Sequence, residues 1–200
     1  MGFADESIAE FLDMVAMGQP TPGGGAVAAI AGAAGAALCE MVCSISGERV
    51  ADSTFADRRI ELEQHRRRLL ELADEDAAAI DDLMAATQYQ SDDRADAIRP
   101  AVEEAIAVPL EAAEACLAVL EAAGPIVDQG YPPAVGDAHT GALLAHGALA
   151  ASLHNARINL QWLGDADSIR STEERIEALD RDGRAALEAV ESTIDTRQGE

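Results

Sequence analysis

A chain of 200 residues, 48% hydrophobic, is long and apolar enough for one sizeable core, but with only 3% aromatics that core must come from Ala, Leu, Val and Ile. Its formal charge of −23 comes from 37 acidic against 14 basic side chains, every one of the latter Arg, and leaves no basic face for nucleic acid. Charge of that size repels itself and opposes the compact state; salt screens the repulsion, so the expected setting is a high-salt, halophilic cytosol.

Ser7 is a predicted N-cap with Glu10 at the capping-box position, and Ile8, Phe11, Leu12 and Val15 form the apolar face of a short helix that Gly18 ends. A second helix is expected from about Gly24 to about Ser46. Val27, Ile30, Ala34, Leu38, Met41 and Ile45 recur along it at helical spacing, beside a small-residue face of Ala28, Gly32, Ala36, Cys39 and Cys43. Those small residues permit close approach of a neighbour, so this helix should be the most buried, at a core or subunit interface. Gly47 is expected to break it.

The third helix is predicted over Asp57–Tyr89, with Leu62, Leu69, Ala73, Ala77, Ile80 and Met84 as its seam. Arg66-Arg67-Arg68 is the one basic island, read as a solvated face with helical ion pairs to Glu63 and Glu71, or as a seat for an anionic ligand tail. Ser91-Asp92-Asp93 should cap a fourth helix from Arg94 to Ala123, kinked at Pro109 and stopped by Gly124-Pro125. A turn-rich stretch, Asp128–Gly136, precedes a fifth helix opened by Asp137 and running to about Leu163. Ser168 should cap the last helix, whose stripe is Ile169, Ile176, Leu179, Leu187, Val190 and Ile194, with fraying after Thr196. No strand pattern, repeat or linker occurs. The expected fold is all-α, a single domain over 1–200 forming an up-and-down bundle of about six helices.

Cys39, Cys43 and Cys116 are an odd set without a Cys-x-x-Cys, read as buried reduced thiols. Residues 1–13 carry Asp5, Glu6, Glu10 and Asp13 and no basic start, and the apolar run Ala26–Cys39 is short for a bilayer. A cytoplasmic protein without a membrane partner is expected.

Three features bear on chemistry. Pro20-Thr21-Pro22-Gly23-Gly24-Gly25 leads straight into the second helix. Such a junction presents unpaired N–H groups and the positive end of a helix dipole, so it suits an anionic or polarised ligand; a plain tight turn is the other reading. His139, His146 and His154 lie on one side of the fifth helix, but each step of seven residues is roughly 10 Å of rise, too far for one ion, so no metal site is expected. Asp137, at a helix start after a constrained loop, is either a plain N-cap or a carboxylate fixed at the mouth of the bundle.

Phe11-Leu12 followed by Pro20-Thr21-Pro22-Gly23-Gly24-Gly25-Ala26-Val27-Ala28-Ala29 resembles the opening of the cyclodeaminase/cyclohydrolase family, which comprises the cyclodeaminase half of formiminotransferase-cyclodeaminase and stand-alone methenyltetrahydrofolate cyclohydrolases. Similar stretches follow in order: Glu75-Asp76-Ala77 with Leu83-Met84-Ala85-Ala86; Ala107-Val108-Pro109-Leu110 with Ala113-Glu114; and Asp137-Ala138 through Asn155-Ala156-Arg157-Ile158-Asn159-Leu160. The chain departs from the family at Glu48-Arg49-Val50, where a basic pair and Tyr are usual, and in the loop Tyr131–Gly136, usually Asn- and Ser-containing. The resemblance implies a helical homodimer that acts on a tetrahydrofolate one-carbon unit with no metal and no cofactor beyond the folate substrate. It implies either hydrolysis of 5,10-methenyl-tetrahydrofolate to 10-formyl-tetrahydrofolate or closure of 5-formimino-tetrahydrofolate with release of ammonia; a stand-alone chain tips the reading to the hydrolase. Asp137 would be the catalytic acid/base. Thr21, Gly23, Gly24 and Gly25 would meet the pterin or the glutamate carboxylates, with Arg49, Asn155 and Arg157 also holding the ligand. The altered loop favours a rival of another class, a non-catalytic folate-binding or scaffold dimer.

Overall fold

The computed structural model describes residues 2–50, 54–88 and 94–198. Six α-helices follow one another: α1 (Ile8–Ala16), α2 (Gly24–Arg49), α3 (Thr54–Thr87), α4 (Arg94–Gln129), α5 (Val135–Asn159) and α6 (Ala166–Gln198), with single 3-10 turns at Phe3–Asp5, Pro132–Ala134 and Leu160–Trp162. Among the described residues there is no strand. Tyr89 and the expected cap Ser91-Asp92-Asp93 lie outside the described residues.

Helices α2 to α5 form an antiparallel four-helix bundle. The register is read from cross-helix pairs: Gly25 faces Asp76 of α3, Glu111 of α4 holds Arg68 of α3, Asn159 of α5 reaches Ala105 of α4, and Gly35 of α2 lies on Gly141 of α5. Helix α6 lies outside, along α4 and in the same direction, since Arg175 meets Glu114 and Arg197 meets the carbonyls at 127–130. Helix α2 is the hub. A Cβ at Gly32 would stand 2.6 Å from Cys116 Sγ of α4, 3.3 Å from Leu69 of α3 and 3.4 Å from Ala148 of α5. It is also long and apolar enough to cross a membrane, which the shorter run Ala26–Cys39 did not suggest. Here it is a core helix, and its one mid-helix acid, Glu40, is held by Arg66 at 2.6 Å.

Several predicted boundaries shift. Helix α2 runs through Gly47 to Arg49. Helix α4 does not stop at Gly124-Pro125, because Ile126 and Val127 continue the fully buried face and repay the one hydrogen bond Pro125 removes. The carbonyls at its end, of Val127 and Asp128, and that of Gly130 just beyond, are taken up by Arg197, which also holds α6 in place beyond Thr196, where fraying was expected. Helix α5 starts at Val135, so Asp137 lies in its first turn rather than at its cap, and α5 gives way to a 3-10 turn at Leu160. The cap of α6 is Asp165, whose carboxylate accepts the N–H and hydroxyl of Ser168 at 2.8 and 2.7 Å. At α1 the Ser7–Glu10 capping box forms as expected, and Gly18 follows the helix at φ +73°, a conformation that favours glycine.

The seam of α3 follows the predicted one through Leu62, Leu69 and Ala73 and shifts by one position after that. The buried residues are Phe55, Leu62, Leu69, Leu72, Ala73, Asp76, Ala79, Leu83 and Ala86, whereas Met84 is exposed. Helix α2 likewise buries its small-residue face; of the predicted stripe, Ala34 and Met41 are exposed, while Val27, Ile30, Leu38 and Ile45 are half-buried, with Ile30 and Ile45 packed against the edge of the core.

Pro109 sits in the interior of α4 and leaves the Ala105 carbonyl without its usual donor. Asn159 supplies one from α5, donating through Nδ2 to Ala105 O at 2.7 Å in a buried setting. Replacing Asn159 by Ala strands that carbonyl and should cost about 1–3 kcal/mol in urea unfolding. The double replacement with Pro109→Ala should recover most of the loss, because residue 109 regains an N–H; no recovery would contradict this pairing.

Cys39, Cys43 and Cys116 are buried and form no disulfide. Burial pushes the thiols of Cys39 and Cys116 up to about 12 and that of Cys43 to about 11.

Candidate functional site

The glycine turn leads into α2 across a cis Thr21–Pro22 bond, with Gly23 as a cap that has no side chain to offer. Its place is taken from another helix. Asp76 of α3 is only 6% exposed and accepts the Ala26 N–H, so it caps α2 across space. The carboxylate lies where a Cβ of Gly25 would be, so position 25 has no room for a side chain. A Cβ on the exposed Gly24 would stand 3.3 Å from Asn155 Oδ1 of α5. Asn155 donates its own Nδ2 to Ala151 O at 2.9 Å. Thr21 donates its hydroxyl to Asp81 of α3 at 2.9 Å. Thr21, Gly23, Gly24, Gly25 and Asn155, named from the sequence, thus come together, and Asp76 and Asp81 join them.

Burial raises the Asp76 carboxyl from 3.8 to about 6, and the Ala26 N–H offsets only part of that. The native state therefore holds this proton longer than the unfolded chain. Stability from this group is full below pH 3.8 and is lost as pH rises through 6. Asp76→Asn keeps an acceptor for Ala26 and should melt higher than wild type at pH 8, with a flatter dependence between pH 4 and 6.

Asp137 and Arg49 are at the other end. About 27 Å of rise separates Asp137 from Asn155 on the unbroken α5. Asp137 is exposed, and Cys39 Sγ contacts the carbonyl of the adjacent Ala138 at 3.8 Å, far along α2 from Gly24. Arg49 lies over the Tyr131 ring at 4.8 Å, in the loop that leads to Asp137. Tyr131 is fixed by the buried Ser46, which accepts its N–H at 2.9 Å. Arg157 is exposed near the end of α5, on the glycine-turn side. One chain thus presents two half-sites: turn, Asp76, Asn155 and Arg157 at one end of the α2/α5 pair, Asp137 and Arg49 at the other.

The basic island does not serve as a ligand seat. Arg66 holds Glu40, Arg67 holds Glu63, and Arg68 bridges Glu71, Glu75 and Glu111. Among the described residues no three His, Cys, Asp or Glu side chains are grouped to hold a metal ion.

Asp76 was missed as a site residue because the seam of α3 beyond Ala73 was read one position off. On the observed stripe Leu69, Leu72, Ala73, Asp76, Ala79, Leu83, it is the one charged residue in an apolar row.

The fold and site define an antiparallel helical bundle whose hub helix begins at a Cβ-free turn braced by a buried carboxylate. Residues 7–178 match the formiminotransferase-cyclodeaminase family model, and the chain belongs to that family. It is 32% identical to a Methylorubrum extorquens protein named methenyltetrahydrofolate cyclohydrolase, over 96% of this chain and 98% of that one. It is 28% identical to the mouse formimidoyltransferase-cyclodeaminase over 97% of this chain but only 38% of that longer protein. The crystal structure of formiminotetrahydrofolate cyclodeaminase from Thermotoga maritima superposes with a TM-score of 0.89, at 25% identity, covering 96% of this chain and 98% of the other.

Proposed function

We propose that this chain is a methenyltetrahydrofolate cyclohydrolase. The observation that carries the reading is the end-to-end match to a relative of that name, supported by the glycine turn that Asp76 and Asn155 join at one end of the bundle. Asp137 is the acid/base: it takes a proton from water as the oxygen adds to the cationic methenyl carbon, and returns it to N5 as the carbon–N5 bond breaks, while the remaining hydroxyl proton leaves to solvent and the formyl group stays on N10. Its charge also favours the cationic substrate in the site. The cyclodeaminase alternative is favoured by the Thermotoga neighbour's name. Supplying 5-formimino-tetrahydrofolate and following ammonia separates the two; the cyclohydrolase reading expects no release above background. The non-catalytic rival is not retained, since the relatives carry enzyme names.

The working unit we infer is a homodimer. In a chain of charge −23, the outward faces of α2 and α5 carry Ala34, Ala37, Leu38, Met41, Leu143 and Leu144. Helices apolar on nearly every side call for cover, and a second copy brings the same apolar patch. Two-fold packing across these faces sets α5 against its copy in the opposite direction, so Asp137 of one subunit meets the glycine turn of the other. The two half-sites then complete each other.

The reading of a salt-adapted cytoplasmic enzyme stands on charge. The melting temperature should rise steadily as KCl increases, through screening of the acidic surface; a flat or falling response would contradict it.

A further inference from the structure

Guanidiniums in this chain find carboxylates: Arg66, Arg67, Arg68, Arg175 and Arg184 each hold one or more. Arg197 holds none among the described residues. Half-buried at the end of α6, it gives its donors to backbone carbonyls where α4 stops: Nη1 to Val127 O and, at 2.6 Å, to Asp128 O, and Nη2 to Gly130 O at 3.2 Å. Carbonyls at the end of a helix have no following amide to accept, and a planar fork can reach several at once. Arg197 also lies outside residues 7–178, the stretch that the family model matches.

The corner braced in this way carries the Asp137 half-site. Gly130 is buried, and a Cβ there would meet the Ile126 carbonyl and stand 3.2 Å from both Ser46 Oγ of α2 and Val135 Cγ1 at the start of α5. Tyr131, next in line, gives its N–H to Ser46, accepts the Ala134 N–H at 2.9 Å and lies under Arg49. Asp137 itself is exposed, and no hydrogen bond or ion pair among the described residues holds its carboxylate. Its position is therefore set by the backbone that bears it, and that backbone leaves from the corner.

We propose that Arg197 is a positioning residue for Asp137: its fork fixes the α4–α5 corner, and the corner fixes where the carboxylate stands. The proposal rests on the reading of Asp137 as the acid/base, and it adds the tip of α6 to the working parts of the enzyme. A misplacement of about 1 Å at a reacting group can cost on the order of a hundredfold in rate. The glycine turn and Asn155 lie at the far end of the bundle, so substrate held there does not feel the corner. Loss of the fork should appear in kcat and not in KM.

The test measures hydrolysis of 5,10-methenyl-tetrahydrofolate by the full chain. Arg197→Ala should lower kcat about tenfold and leave KM within about twofold of wild type. Arg184→Ala removes the same charge from α6, but Arg184 pairs with Asp180 on its own helix, so this variant should turn over as wild type does; an equal loss in it would trace the effect to charge and overturn the proposal. Arg197→Lys keeps the charge without the fork and should stay below wild type; full turnover in it would overturn the proposal in the same way. A wild-type kcat in folded Arg197→Ala with only a lower melting temperature, the mark of a purely structural clamp, also overturns it, as does a rise in KM at unchanged kcat. In each of these cases the folate reading stands. A folded wild type that leaves the substrate untouched overturns both. Amide exchange read by mass spectrometry needs no substrate. It should quicken over residues 131–138 in both Arg197 variants and stay as in wild type over residues 24–30; unchanged protection of residues 131–138 contradicts the proposal. Should Arg197→Ala fail to fold, Arg197→Lys is read by the same criteria.

Discussion

Subunits carrying Asp137→Asn and subunits carrying Gly24→Glu, each inactive alone, should regain about a quarter of wild-type turnover when mixed in equal amounts from denaturant and refolded. The reason is the distance along α5. A carboxylate about 27 Å from Asn155 cannot work on a ligand at the turn of its own chain. Across a two-fold axis it can. Half of the refolded dimers are then mixed, and each has one site with both lesions and one with neither. The two variants are chosen to fold. Asp137 is exposed in the first turn of α5. Gly24 is the first residue of α2 and exposed, a position where Glu suits the helix dipole while its side chain fills the approach to Asn155. Mixed dimers that form without regaining activity would show that each site is built within one chain.

Gly35→Ala should lower stability by about 2–4 kcal/mol in denaturant unfolding, although Ala is the better helix former by about 1 kcal/mol. The added Cβ would stand 2.6 Å from the Gly141 carbonyl oxygen and 3.1 Å from the Ala145 nitrogen. Both are backbone atoms of α5, so no rotamer change relieves the contact, and α2 must move off α5 along its length. Gly141→Ala meets the same wall from the other side, 2.7 Å from Gly35 O and 2.9 Å from Cys39 Sγ. By contrast Gly147→Ala, with nothing within 4 Å, should be neutral or stabilising. A destabilised Gly147→Ala beside an unharmed Gly35→Ala would contradict the observed α2–α5 approach.

Helix positions and the all-helical class were readable because period and punctuation agreed: the Ser7 capping box, the glycine turn before α2 and the apolar stripe of α6 are local signals. What failed were decisions made by tertiary contacts. Gly124-Pro125 reads as a stop, and only the buried Ile126 and the reach of Arg197 from α6 explain why α4 continues. The choice between two apolar faces of α2 is not in its own residues. The smaller face goes inward because Gly32 and Gly35 let three helices close on it. For the site, the turn and Asn155 could be picked out singly, but their meeting is a long-range fact, as is the separation of Asp137. Asp76 was in view within Glu75-Asp76-Ala77, and its burial was hidden by a seam read one residue away.

The most direct measurement is the absorbance of 5,10-methenyl-tetrahydrofolate in high KCl with purified protein. The account predicts that the chromophore disappears in proportion to enzyme and that Asp137→Asn removes this loss without lowering the melting temperature. A folded wild type that leaves the chromophore untouched would contradict it.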